Sequence, residues 1–335
     1  MCKIKFLILI ISIFTSLKAS ELKSDEYVMF IPSTAYNVDN KTIIVEINAY
    51  VYEKERRLGA TTALASLLDI DIDTLNKTEK QRLYNRSALF RIDYESGKEF
   101  FIKFTDGSLV KMPKTNSGKG SIKVKLEKPL KREIDFEVYK PKHKANIQKS
   151  FALYPADEGV SAVFDIDDTI KISNVLDKKA LLVNVFLNEY KTVDGIQKIF
   201  KHVQNLRADA YHYVSASPVQ LYPVLKDFFE KESIPKGTFH LRDATDLNNF
   251  IPNKNTTIKH KKENIEKLFK VYPKRKFILI GDSGENDPEI YADLQRKYPG
   301  KILQIIIHDL ENSNGTSLRF QKSFEGIDKN KLMFF

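Results

Sequence analysis

From Phe151 onward the chain alternates short apolar runs with amphipathic stretches, and that alternation leaves few folds open. Val160 to Phe164, Ala210 to Val214, Phe277 to Ile280 and Ile302 to Ile307 read as strands. Lys178 to Tyr190, Asp194 to Leu206, Gln220 to Lys231, Lys261 to Val271 and Pro288 to Tyr298 read as the helices around them. Strands separated by helices of roughly 10–15 residues argue for βαβ units and a parallel, Rossmann-like α/β sheet. Ligands of such sheets sit beyond the carboxyl ends of the strands, so the loops that follow the strands are where chemistry is to be sought.

The preceding part has a different pattern. Tyr27 to Ile31, Thr42 to Ile47, Phe100 to Phe104 and Ser121 to Leu126 are β-branched or aromatic runs, separated by turn pairs such as Asp39-Asn40, Ser96-Gly97 and Asp106-Gly107. They predict a small, mostly-β, sandwich-like domain over residues 24–140, interrupted by helical stretches at Ala60 to Leu68 and Lys77 to Tyr84. The polar, basic, proline-marked residues 141–150 read as a linker, and residues 151–335 as the α/β domain.

At the N-terminus, Lys3 and Lys5 precede an apolar run from Phe6 to Leu17, and Ala19-Ser20 offers a small-residue cut. This is the pattern of an export signal over residues 1–19, which implies a periplasmic or secreted protein; an uncleaved membrane anchor is the alternative. The run is short for a bilayer-spanning helix, which needs about 20 residues. Cys2, the only cysteine, precedes the run, so a mature chain would have no disulfide, thiolate-zinc site or cysteine nucleophile. The formal charge of +10 favours anionic partners such as phosphate esters, lipid headgroups or an anionic membrane surface. Nucleic acid is the weakest of these, because no recognition motif accompanies the charge.

Three strand ends carry polar residues suited to phosphoryl chemistry. They are Asp165-Ile166-Asp167-Asp168-Thr169, Ser215-Ala216-Ser217, and Asp282-Ser283-Gly284-Glu285-Asn286-Asp287. Asp165 and Asp167 are two residues apart, which turns both carboxylates toward one pocket at a strand end. One carboxylate can attack phosphorus and form an aspartyl-phosphate, splitting ester hydrolysis into two easier steps. The other can protonate the departing alkoxide and then deprotonate the attacking water. Asp282 offers the hard oxygen that Mg²⁺ prefers, and Ser215 a hydroxyl for a phosphate oxygen. Lys261, read as opening a helix before the third of these strands, offers positive charge to the phosphoryl oxygens, with Lys259 as the fallback.

This constellation resembles the haloacid dehalogenase superfamily, on Asp165/Asp167/Thr169, Ser215, Lys261 and Asp282/Asp287. The closer resemblance, over roughly residues 150–310, is to the catalytic domain of the actin-patch-type phosphatidate phosphatases. It rests on Phe164 to Lys171, Val214 to Pro223, and above all Gly281 to Tyr291. The resemblance implies Asp165 as nucleophile and Asp167 as acid/base. It implies a Mg²⁺ ion held by Asp165, Asp282 and the Asp167 backbone carbonyl, and phosphate held by Thr169, Ser215 and Lys261. Asp287 would orient the metal shell or Lys261.

Only about 45 residues separate the first motif from the second, and two helices nearly fill that gap, so a large lid is not expected. The expected function is a Mg²⁺-dependent phosphatase for phosphatidate or a related lipid phosphate. The alternatives are an exported phosphatase for soluble phosphomonoesters or nucleotides, and a membrane-binding protein with an accessory phosphatase domain. The basic stretches Lys111 to Lys114 and Lys140 to Lys149 motivate the last of these.

Overall fold

The structure is a computed structural model that describes residues 20–53, 59–90, 93–139, 148–244 and 250–335. The expected export signal and most of the expected linker lie outside the described residues. Among the described residues no helix is long and apolar enough to cross a membrane.

The strand-rich half contains β1 (Ser20–Glu21), β2 (Glu26–Ile31), β3 (Ser33–Asn37), β4 (Thr42–Glu53), β5 (Asp93–Tyr94), β6 (Lys98–Glu99), β7 (Phe101–Phe104), β8 (Leu109–Lys111), β9 (Lys119–Glu127), β10 (Glu133–Tyr139) and β11 (Lys149–Leu153). Along β4, Val45, Ile47, Ala49 and Val51 alternate with more polar residues and are buried on one face. One edge of β4 pairs with β9 from Thr42 to Tyr50 and then with β5, and the other with β3 and then β2. Nine strands form one hydrogen-bonded network, mostly antiparallel, with β11 parallel to β3. Phe30 on β2 and Phe136 on β10 are far apart in strand order, yet their ring centroids lie 5.2 Å apart. The sheet therefore curls over its own core, as a sandwich does. Strand β11 covers the end of the expected linker and the start of the expected α/β domain, so this half runs on to Leu153.

The second half contains β12 (Val160–Phe164), β13 (Ala208–Pro218), β14 (Thr238–Arg242), β15 (Lys276–Asp282), β16 (Ile302–His308) and β17 (Leu332–Phe334), all parallel, in the order β14-β13-β12-β15-β16-β17. Its central strands β12, β15 and β16 are near-continuous apolar runs because helices cover both faces. Ala162, Phe164, Ile278 and Ile280 pack on one side with α3 (Lys178–Phe186), α4 (Ile196–Asn205) and α5 (Tyr222–Lys231). Val163, Phe277, Leu279 and Ile305 pack on the other with α6 (Lys254–Val271), α7 (Asp287–Lys297) and α8 (Leu318–Ser323). Crossovers leave β12 toward β13 and return from β14 to β15, so the chain reverses direction across the sheet between β12 and β15.

Two expectations need correction. Helix α6 opens at Lys254, not Lys261, because Asn253 caps it by accepting from Thr256 N at 2.9 Å. Lys261 thus lies inside the helix. Helix α3 ends at Phe186, short of Tyr190.

The halves are packed tightly together. Helices α1 (Gly59–Leu67) and α2 (Lys77–Ala88), inserted between β4 and β5, lie against the second half. Leu64, Leu68 and Leu83 join the core of Phe186, Leu225 and Phe228, and Phe90 stacks edge-on against Phe186 and Phe250. The edge strand β14 is closed by the first half: Phe239 N donates to the Pro32 carbonyl at 3.0 Å, and Tyr50 and Lys119 both reach Asp243. Leu68 is fully buried. Leu68→Ala is therefore expected to lower the unfolding free energy by about 3 kcal/mol, through lost burial and the cavity it leaves. Urea unfolding followed by circular dichroism checks this; a change near zero would show that α1 is not part of this core.

Candidate active site

The chain reversal between β12 and β15 brings Asp165 and Asp282 side by side. Asp165 follows β12 and extends its ladder by donating its N–H to the Ile280 carbonyl at 2.8 Å. Asp282 closes β15, and Lys261 reaches in from α6, the crossover helix before β15. Its ammonium lies 3.1 Å from Asp165 Oδ1, 2.6 Å from Asp287 Oδ1 and 2.8 Å from Glu285 Oε2. Lys259 points away, with its side chain 74% exposed beside Glu263. Only Lys261 therefore meets the carboxylates. Asp287 also faces the Asp282 backbone N–H at 3.3 Å, so it links the lysine to the end of β15. Gly281 is required for this approach, since a Cβ there would overlap the Asp287 carboxyl.

One ammonium among four buried or half-buried carboxylates leaves the cluster short of positive charge. Burial raises the Asp165 carboxyl well above its ordinary range; Lys261 opposes the rise, while Asp287, Glu285 and Asp282 add to it. Asp282 and Asp287 are raised by burial and the same crowding. Burial works to lower the Lys261 ammonium, but its carboxylate neighbours outweigh that and hold it well above 10.5.

The donor set fits a hard divalent cation. Apart from Lys261 beside Oδ1, neither oxygen of Asp165 has a partner among the described residues, and Asp282 Oδ2 has none either. Asp165, Asp282 and Glu285 each offer an oxygen, all within 4.8 Å of one another. Hard carboxylate oxygens, those of Asp165 and Asp282 without competing hydrogen bonds and Glu285 shared with Lys261, suit such an ion. The other oxygen of Asp282 is tied down by Gly284 N at 2.6 Å and Glu285 N at 3.0 Å, which fixes the carboxylate's direction.

Asp167 stands in a separate environment. Its Oδ1 faces Lys171 Nζ at 2.8 Å and accepts from Ser173 Oγ at 2.6 Å, while Ser217 and, at 3.4 Å, Ser215 donate to Oδ2. Burial opposes its ionisation, but Lys171, Ser173 and Ser217 prevail and hold it at about 2. Thr169 is buried with a hydroxyl that has no partner among the described residues, and Ser215 accepts from Ser217 N at 3.0 Å. Asp168 gathers the N–H groups of Ser173, Asn174 and Val175 and shapes the loop after β12.

The predicted residues Asp165, Lys261, Asp282 and Asp287 are thus one ion cluster, with Asp167 and Ser215 in a second group beside it. Glu285, Lys171, Ser173 and Ser217 were not singled out beforehand. All four lie within or next to the quoted motifs, but spacing alone does not tell a buried charge from a solvated one.

Residues 160–309 match a family model described as phosphatidate phosphatase APP1, catalytic domain. The phosphatidate phosphatase APP1 of Saccharomyces cerevisiae is 32% identical over 207 residues, covering 59% of this chain and 35% of that protein. An uncharacterized protein of Schizosaccharomyces pombe is 33% identical over 157 residues, covering 45% of this chain and 25% of that protein. The chain therefore spans about a third or less of the length of these curated relatives.

A cation held by this cluster must stabilise the fold by mass action. Raising Mg²⁺ to about 100 times its dissociation constant is expected to add roughly 2.7 kcal/mol to the unfolding free energy. Thermal unfolding with and without Mg²⁺ measures this, and Asp282→Asn is expected to abolish most of the shift. An equal shift in the variant would remove Asp282 from the ligand set.

Proposed function

We propose that this protein is a Mg²⁺-dependent phosphatase acting on phosphatidate or a related lipid phosphate, a reading supported by the match of residues 160–309 to the APP1 phosphatidate phosphatase catalytic-domain model. The observation that carries the reading is the Asp165–Lys261–Asp282 cluster: an unbonded buried carboxylate beside a buried ammonium, in a set of oxygens suited to a divalent cation.

Asp165 is the nucleophile. As its Oδ–P bond forms, the bond from phosphorus to the ester oxygen breaks, and the departing alkoxide takes its proton through Asp167, which is ionised at rest and must first draw that proton from solvent. In the second half, Asp167 takes a proton from water, whose oxygen bonds phosphorus as the Asp165–P bond breaks, releasing inorganic phosphate. Lys261 offsets charge on the phosphoryl oxygens, and Asp287 keeps it in place. Ser215 and Thr169 hold further phosphate oxygens. Mg²⁺, held by Asp165, Asp282 and the Asp167 carbonyl with Glu285 nearby, would supply electrostatic stabilisation of the transferring group.

A lipid substrate is favoured because the gap from Thr169 to Ser215 is taken up by α3 and α4, which pack on the sheet and build no separate lid among the described residues. A headgroup still anchored in a membrane can then approach the strand ends. The export pattern at residues 1–19 supports action outside the cytoplasm.

The test is phosphate release from phosphatidate in mixed micelles, with and without Mg²⁺, for the wild type and Asp165→Asn. Release is expected to require Mg²⁺ and to vanish in the variant. Much faster turnover of soluble esters than of phosphatidate would move the substrate to small phosphomonoesters.

A further inference from the structure

Lys171 has no task in the reaction as derived so far, although its placement is tightly specified. It is 1% exposed and sits where the loop after β12 turns back, with Lys171 N donating to the Ile166 carbonyl at 2.9 Å. Its ammonium lies 2.8 Å from Asp167 Oδ1 and donates to Ser173 Oγ. Beneath it is the buried ring of Tyr190, with the ammonium 4.8 Å from the ring centroid. Arg86 of α2 lies 4.2 Å from the same centroid and donates to the carbonyls of Val185 and Asn188 at 2.7 Å each. A buried lysine is desolvated at a cost, so it persists only where an anion needs it.

The contrast between the two carboxylates gives this placement its meaning. Apart from Lys261 beside Oδ1, Asp165 keeps its oxygens free of partners among the described residues, as a nucleophile must. Both oxygens of Asp167 are occupied, and every donor to them lies outside the Asp165–Lys261 cluster. A carboxylate held in this way has its direction fixed before water arrives.

Resting on the phosphatase reading above, we infer that Lys171 is a positioning residue for the second half of the reaction. With Ser173 and Ser217 it holds Asp167 oriented as the base that activates water against the aspartyl-phosphate. Tyr190 and Arg86 support Lys171 from below, so a residue of the strand-rich half takes part in fixing a carboxylate of the other half.

The test separates the two half-reactions. The full chain with Mg²⁺ is mixed with p-nitrophenyl phosphate, whose leaving group departs without a proton, and nitrophenolate is followed from the first turnover. In Lys171→Met the initial burst is expected to approach one equivalent per enzyme, followed by steady turnover about 100-fold slower than wild type, the scale of a lost general base. Ser217→Ala, a milder change, is expected to show the same pattern with steady turnover about tenfold slower, and it decides the matter alone if Lys171→Met does not fold. Burst and steady rate falling in proportion would mark a merely structural role and overturn the inference, as would wild-type turnover in both variants. A wild type that cleaves no phosphomonoester at all would overturn the phosphatase reading, and the inference with it.

Discussion

The ammonium of Lys261 is the interaction on which the active half is organised. It is buried together with Asp165 and Asp287, and each of these charges would be strongly unfavourable without the others. To bring them together, α6 must lie across the reversal between β12 and β15, Gly281 must leave room for Asp287, and α7 must begin at that residue. Even so, the lysine does not balance the charge around it. The deficit that remains is what makes the cluster receptive to a dication, and it gives the strand ends an electrostatic character that neither strand has alone.

Much of this was legible in the sequence because its signals are local. A strand ending in Asp-x-Asp and another ending in Gly-Asp place their carboxylates without reference to distant residues, and the parallel sheet follows from the strand–helix period. What escaped depends on tertiary packing. The position of Lys261 within α6 was misread because Asn253, the cap, lies in a run of polar residues that looks like a loop. Strand β14 escaped because Thr238-Phe239-His240-Leu241-Arg242 has mixed polarity, as suits a strand whose outer edge meets another domain. Lys171 and Glu285 received no role, since burial of a charge shows only when its partner is brought near in space.

The strand-rich half has a closer relation to the catalytic half than a separate domain would. Of the basic stretch once read as a docking surface, Lys111 pairs with Glu99 at 2.7 Å and Met112 is buried, so that stretch is partly taken up by its own fold. The contributions that reach the catalytic half come from elsewhere. They are the Pro32 carbonyl at the edge of β14, and the α1–α2 pair over α3 and α5.

That helical pair bears on how such a chain can be inherited and recombined. The family model matches residues 160–309, yet the hydrophobic face around Phe186 and Phe250 is covered by residues from before position 91. Cutting the polypeptide between its halves would uncover that face and open a strand edge to unwanted pairing. The catalytic unit is therefore not a free-standing module here. Wherever evolution joins it to a different neighbour, that neighbour must bring its own cover for the same face and the same edge.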